Sequence, residues 1–481
     1  MMQLILLLLF FFSGLSALVY QTIWIRQFSL VFGVDVFATA TVLTAFMAGL
    51  ALGSYLFGRL VDRDNRPLRL FALLELGIAV FAVLFPLSFS GLEWLYGALY
   101  RSLSLGFYAT QLYRFALAFF FLLIPTMLMG GTLPVLSRIF VKRVTVLGSN
   151  VGKLYSINNL GALIGCFLSG FFLIRWLGQH SSMMVAALLN FFNAIVVLIL
   201  LLLKQEKKSE VVSPADEQNE ETLLPSRVIR FVLWAFAIEG FAALAYEVIW
   251  TRILLGFSYD KSLYFFSTVI FSFIFGLSFG SILVAKMVDR RKNLLLLFAV
   301  VEILIAVSAL VLLSGFVSVN NILSEWRLQY RDADGWWRCM GKEYLLFFLI
   351  MAIPTTFMGM TFPIVSKICT PHLRRLGTRL GEIGFLDTVG SIVGSFAAGF
   401  ILIPFLGVIK SAAFVAMINI IIGILAVLLN PFLSKRWKAP IIASVIAVVF
   451  VLMTNLPDSG YFRHWQTKRQ GDRLLFYQEG A

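Results

Sequence analysis

Five acidic side chains stand inside long apolar stretches: Glu75, Glu239, Glu247, Glu302 and Asp387. A carboxylate at membrane depth is costly, and where it occurs it marks a cation path, a proton site or an ion pair. Glu239 and Glu247 are eight residues apart, about 80° around one helix. Tyr246 follows Glu239 by seven residues on nearly the same face, and Trp250 follows Glu247 by three. Acids beside aromatic rings suit an organic amine, which gains an ion pair and a cation–π contact together. A salt bridge from Glu247 to Arg252 or to another helix is the purely structural alternative. Asp387, in the run DTVGSIVGS, is the third acid expected at a substrate site, together with Asn158. Cys166, Cys339 and Cys369 have no metal-ligand spacing, so no metal, cofactor or catalytic centre is expected.

The elements that must position these residues occur twice. SGLSALVYQTIWIRQF (13–28) returns as EGFAALAYEVIWTRIL (239–254), so Gly14, Tyr20, Trp24 and Arg26 pair with Gly240, Tyr246, Trp250 and Arg252. AGLALGSYLFGRLVDR (48–63) returns as FGLSFGSILVAKMVDR (275–290), and IPTMLMGGTLPVLSR (124–138) as IPTTFMGMTFPIVSK (353–367). Glu75 pairs with Glu302, and Asn158 with Asp387. A repeat at a fixed offset sets the architecture before any residue is interpreted. Against this symmetry, Glu239 and Glu247 align with Ser13 and Gln21, so only the later copy has charge there.

The chain of 481 residues is 60% hydrophobic and 13% charged, where soluble domains carry about 25% charge. Apolar runs of spanning length fall near 3–32, 36–58, 68–90, 112–136, 150–175 and 182–203. The second copy repeats them near 228–256, 262–285, 293–316, 343–366, 380–403 and 410–430, and a further run at 439–455 has no twin. Strand-type alternation is absent, so the fold expected is an all-α polytopic membrane protein: two six-helix repeats, 1–203 and 228–430, plus one extra helix within 431–455. A polar linker (204–227) separates the repeats, and a polar tail (456–481) follows.

The net charge of +14 comes from Lys and Arg in alternate short loops, which reads as topology charge rather than nucleic-acid affinity. It places the N-terminus in the cytoplasm and makes the two repeats parallel. The apolar start is read as a retained first span, because its continuation has a twin deep in the chain. The outer loop 317–342 holds Trp326, Trp336 and Trp337, expected as interface anchors or as a lid. Gly49, Gly53, Gly161 and Gly165, with Gly276, Gly280, Gly390 and Gly394, have the small-xxx-small spacing of closely packed helices. Trp24 and Trp250, with Arg26 and Arg252, are expected near the outer helix ends.

Six-plus-six parallel repeats with an Asp-Arg loop after the second helix of each half resemble the major facilitator superfamily. The loop reads GRLVDRDNRPLR (58–69) and AKMVDRRKN (285–293), with Asp62, Arg63, Asp289 and Arg290 in the gating positions that the resemblance implies. Glu75 and Glu302 stand about 10 Å inside the cytoplasmic face at 1.5 Å per residue. They are candidate proton-coupling or gating groups, or else partners of an arginine from those loops. The combination with SGxSALxY, the WxR after it and the LMGGTLP/FMGMTFP pair looks like the membrane half of the bacterial fused transporter/spermidine-synthase-like proteins. LLFYQEGA (474–481) resembles the opening of the synthase domain, whose own motifs have no match here.

The resemblance implies a transporter-like domain of the bacterial inner membrane. It would move polyamines or related cationic amines by rocking one half against the other, and would not itself be an enzyme. The alternative is a non-transporting scaffold for a synthase-like aminopropyltransferase. Expected partners are the lipid bilayer, a cationic small molecule and a synthase-like domain, without nucleic acid. Thirteen spans from a cytoplasmic start put residue 481 on the far side. A reporter fused there should give a periplasmic signal, and a cytoplasmic signal would mean the span count is wrong by one.

Overall fold

The computed structural model describes residues 2–32, 36–64, 66–103, 107–203, 224–258, 263–329 and 333–457. Linker residues 204–223, the tail from 458 and the side chains of Trp336 and Trp337 lie outside them. Among the described residues there is no strand, as a lipid-facing backbone that must satisfy its own hydrogen bonds requires.

The first copy forms α1 (Met2–Phe32), α2 (Val36–Arg63), α3 (Pro67–Leu103), α4 (Phe107–Phe140), α5 (Leu147–Leu168) and α6 (Ile174–Leu203). The second forms α7 (Ser226–Phe257), α8 (Leu263–Ala285), α9 (Leu294–Ser314), α10 (Phe316–Gln329), α11 (Ala333–Cys369), α12 (Leu376–Ala397) and α13 (Ile403–Leu429); α14 (Lys435–Thr454) follows. Eleven described segments are long and apolar enough to cross a bilayer. Two of them, Val144–Leu203 and Leu373–Leu429, are 60 and 57 residues long and hold two crossings each. Each passes through a π-helical turn, Ser169–Leu173 or Ala398–Leu402, and then breaks at Gly178 or Gly407. Both glycines have φ of 76°, which is disfavoured for residues with a Cβ.

By its contacts the chain divides into two compact units, residues 1–224 with 369–389 and residues 225–368 with 390–481. In the first, α2 packs on α4, α1 on α5, and both α1 and α3 on α6. In the second, α7 and α9 pack on α13 in the same way. A Cβ on Gly53 would lie 1.9 Å from the Met127 carbonyl oxygen, and one on its twin Gly280 would lie 1.8 Å from that of Thr356. Gly161 and Gly165 meet α1, and Gly390 and Gly394 meet α7, at similar distances. The glycine spacing thus does what it predicts: backbones touch where lipid supplies no hydrophobic drive for helix association.

The outer segment differs from the expected loop. Residues 316–329 are helix α10, and α11 starts at 333. The Glu343 carboxylate is fully buried; it accepts a hydrogen bond from Ser258 Oγ at 2.8 Å and pairs with Arg327 at 3.1 Å. Arg327 also donates to the Phe257 carbonyl. This ion pair ties α10 to the end of α7, and it holds the segment as structure. The final helix α14 packs on α9 and α13 and, among its described residues, buries only Val449.

Gly53→Ala should destabilise the protein by about 1–3 kcal/mol, because the new methyl must part α2 from α4. Gly91→Ala, where a Cβ meets nothing within 4 Å, should not. Thermal unfolding in detergent compares them, and equal midpoints would contradict the close approach.

Candidate functional site

Glu75 lies on α3 between two apolar clusters, one containing Phe71 and Leu74, the other Ile78, Ala82 and Phe85. Its carboxylate is fully buried. Two amides from α6 reach it: Asn190 Nδ2 donates to Glu75 Oε2 at 2.8 Å and Asn193 Nδ2 to the same oxygen at 3.0 Å. Tyr20 of α1 donates its hydroxyl to Asn190 Oδ1 at 2.9 Å, and Ser13 of α1 flanks the carboxylate. Asn193 also donates to the Leu9 carbonyl. One acid therefore joins three helices through amides and a phenol. Among the described residues no arginine pairs with Glu75, and Arg63, at the end of α2, is exposed.

The second unit repeats the arrangement. Glu302 of α9 is fully buried, and Asn419 Nδ2 of α13 donates to its Oε2 at 2.8 Å. Tyr246 of α7 faces Glu302. Asn193 has become Ile422, and Ser13 has become Glu239, which is 4% exposed. Glu302 Oε1, Asn419 Oδ1 and the Tyr246 hydroxyl have no hydrogen-bond partner among the described residues. The second cluster thus lacks the tyrosine–asparagine bond that closes the first.

The other expected site residues separate into two groups. Tyr246 and Trp250 are buried inside the second unit; Trp250 packs on Phe316 with ring centroids 5.5 Å apart. Trp24 is likewise buried and stacks between Tyr20 and Phe85 at 5.4 and 5.8 Å, so neither tryptophan is at an interface. Arg26 and Arg252, by contrast, are exposed. Tyr246 therefore keeps company with Glu302 rather than with Glu247. Glu247 and Asp387 are only partly buried, and among the described residues no side chain hydrogen-bonds or ion-pairs with either carboxylate. Asn158 is a packing clip; its Nδ2 donates to the Phe10 carbonyl at 3.2 Å, with Gly14 against its backbone.

The Asp-Arg loops hold helix ends. Asp62 Oδ1 accepts from the Gly377 backbone N–H at 3.0 Å and Oδ2 from that of Thr378 at 2.7 Å. A carboxylate at the first turn of α12 meets its unpaired N–H groups and the positive end of its dipole. Arg138 stands 3.9 Å from Asp62 and donates to the Leu373 carbonyl. In the second unit Asp289 pairs with Lys367, the twin of Arg138, at 3.4 Å. Arg290, like Arg63, is exposed.

Sequence reasoning missed Asn190, Asn193, Asn419 and Glu343. The first and third were findable, since they occupy equivalent places in two apolar runs. Glu343 was not, because it stands at the edge of a polar segment where an acid needs no explanation.

The family model of the Major Facilitator Superfamily matches residues 5–398. No curated protein matches the chain by sequence. Among solved structures, the fucose:proton symporter FucP of E. coli is similar at a TM-score of 0.54 and 14% identity, covering 88% of this chain and 97% of its own. The proton:xylose symporter XylE has a TM-score of 0.55 at 13% identity, with coverage of 88% and 94%. A bacterial homologue of the iron transporter ferroportin, in an outward-facing state, reaches 0.56 at 11%, with coverage of 89% and 98%. At these identities the likeness is one of fold.

Asn419→Leu should cost about 2–3 kcal/mol, since it strips a buried carboxylate of its amide donor. Asn193→Ile, which installs the residue found in the second copy, leaves Asn190 in place and should cost about half as much. Thermal midpoints of the two variants check the ranking, and a reversed order would refute it.

Proposed function

Because the chain belongs to the Major Facilitator Superfamily, we propose that it is a secondary transporter of polyamines or related cationic amines, working by alternating access in the bacterial inner membrane with its N-terminus in the cytoplasm. The observation that carries the substrate class is the state of Glu247 and Asp387. Glu75 and Glu302 are engaged by amides and Glu343 by a basic side chain. Glu247 and Asp387 are partly buried, sit on apolar helices and hold no side-chain partner. A carboxylate left in that condition is expensive unless something positively charged visits it.

An amine satisfies both terms, bringing charge and several N–H donors. The glutamates of the two amide clusters suit a different role, since their carboxylates are already engaged by asparagine. The Asp62 and Asp289 contacts serve as releasable ties at the cytoplasmic helix ends, and Arg63 and Arg290 stay in the headgroup region. The synthase-like partner that the sequence resemblance implies remains an expectation about a neighbour of this domain; it would supply or consume the amine.

Uptake of radiolabelled spermidine into proteoliposomes tests the reading. Glu247→Gln and Asp387→Asn should each lower uptake about tenfold or more, the loss expected when one member of a desolvated charge pair goes. Unchanged uptake in Glu247→Gln would remove the cation site. Uptake of a neutral sugar in place of spermidine would assign the chain a different substrate.

A further inference from the structure

The last helix, α14, packs on α9 and α13 yet buries only Val449. Lys435, Lys438, Ala439, Ile442, Ala443 and Ile446 recur at three- and four-residue spacing, so they share one face. With Leu428, near the end of α13, that face borders an open groove of about 460 Å³. Small side chains at Ala439 and Ala443 leave it unfilled. Its two ends differ in character. Leu428, Ile442 and Ile446 line an apolar floor, whereas Lys435 and Lys438 stand at the mouth.

The mouth is positive. Lys438 Nζ donates to the Leu428 carbonyl at 2.6 Å, which uses one of the three donors of its ammonium group. Lys435, Arg436 and Trp437 are exposed beside it. Among the described residues no carboxylate pairs with any of these cations. Asn430 Nδ2 donates to Asn293 Oδ1 at 2.9 Å, which brings the start of α9 alongside, where Arg290, Arg291 and Lys292 are exposed. An exposed tryptophan among basic residues marks the headgroup level of a bilayer. Lys435 to Ile446 is eleven residues, about 16 Å at 1.5 Å per residue, close to half of a hydrocarbon core about 30 Å thick. The groove therefore has the length of one leaflet, polar at the surface and apolar below.

We propose that this groove binds one acidic phospholipid from the leaflet at the start of α14, with its phosphate on Lys435 and Lys438 and an acyl chain along Ala439, Ala443 and Ile446. An apolar groove left empty forfeits the dispersion contacts of its walls, and in a bilayer the filler at hand is an acyl chain. A chain alone would need no lysine. A phosphate at the mouth gains charge-assisted hydrogen bonds from ammonium groups that have no acid of their own. A second copy of this chain fits less well, because a two-fold interface sets the same patch against itself and would bring the two basic mouths together. The lipid completes the contact between α13 and α14 that the side chains leave open.

Native mass spectrometry of the purified full chain, with phosphatidylglycerol or phosphatidylcholine added in detergent, tests the site. The wild type should hold phosphatidylglycerol about fivefold more tightly, and Lys435→Gln should remove about that factor while leaving phosphatidylcholine unchanged. Ala443→Phe fills the floor from an exposed position, and it should weaken phosphatidylglycerol with every charge in place. Arg374→Gln combined with Arg375→Gln, which removes two exposed cations before α12, should change nothing. Equal retention of the two lipids by the wild type, or equal phosphatidylglycerol binding by wild type and Lys435→Gln, overturns the site. An equal loss in the Arg374 and Arg375 variant overturns it in favour of general surface charge. Displacement of the lipid by inorganic phosphate overturns it in favour of a free anion, and dimers that Ala443→Phe abolishes overturn it in favour of a second copy. No readout here needs a substrate, so the lipid site stands or falls apart from transport.

Discussion

A carboxylate on the third helix of each repeat, held by an asparagine from the sixth, is the contact on which each helix bundle depends. Lipid tails are as apolar as leucine, so burying leucine between helices gains little. What does join helices is van der Waals contact at glycine and hydrogen bonds that have no better partner in hydrocarbon. Glu75 with Asn190 and Asn193, and Glu302 with Asn419, supply the second kind. The glycines facing Thr126, Met127, Thr355 and Thr356 supply the first. Each bundle packs around its acid, with aromatic layers such as Trp24–Phe85–Phe89 filling the space beyond it.

Duplication makes the differences between copies informative. Packing demands on equivalent positions are similar, so a change of charge class at one of them points to chemistry rather than fit. In the first cluster serine, tyrosine and two asparagines surround one acid, with Glu75 Oε1 and Asn193 Oδ1 left without a hydrogen-bond partner among the described residues. The second replaces serine by Glu239 and one asparagine by Ile422, adding charge while removing a donor. Stability alone would favour the first version. Both versions carry unsatisfied polar atoms in a dry interior, and the second adds the Tyr246 hydroxyl to them.

The Asp-Arg loops show a related economy. Asp62 gives both oxygens to the opening turn of α12, where the helix has unpaired N–H groups and a positive dipole end. Such a contact is strong when aligned and is lost as a unit when the helix shifts, because both bonds share one carboxylate. The arginines that follow in the sequence, Arg63 and Arg290, face outward and take no part in it.

The sequence by itself determined the architecture. Hydrophobic run length fixes spanning helices, the fixed-offset repeat fixes two copies, and glycines four apart fix which faces touch; all are local or periodic properties that one dimension records. It also identified Glu75, Glu239, Glu247, Glu302 and Asp387, because charge inside an apolar run is conspicuous. Which of these acids is engaged and which is left open was decided only by the tertiary structure. Asn190 meets Glu75 across 115 residues and Asn419 meets Glu302 across 117. A partner at that separation leaves no periodic trace. For the same reason Trp24 and Trp250 read as interface anchors and are core residues: burial depends on what the neighbouring helices place opposite them. The segment 317–342 read as a loop, yet residues 317–329 and 333–342 are helical, and Arg327 and Glu343, unremarkable in a polar stretch, find each other in the fold.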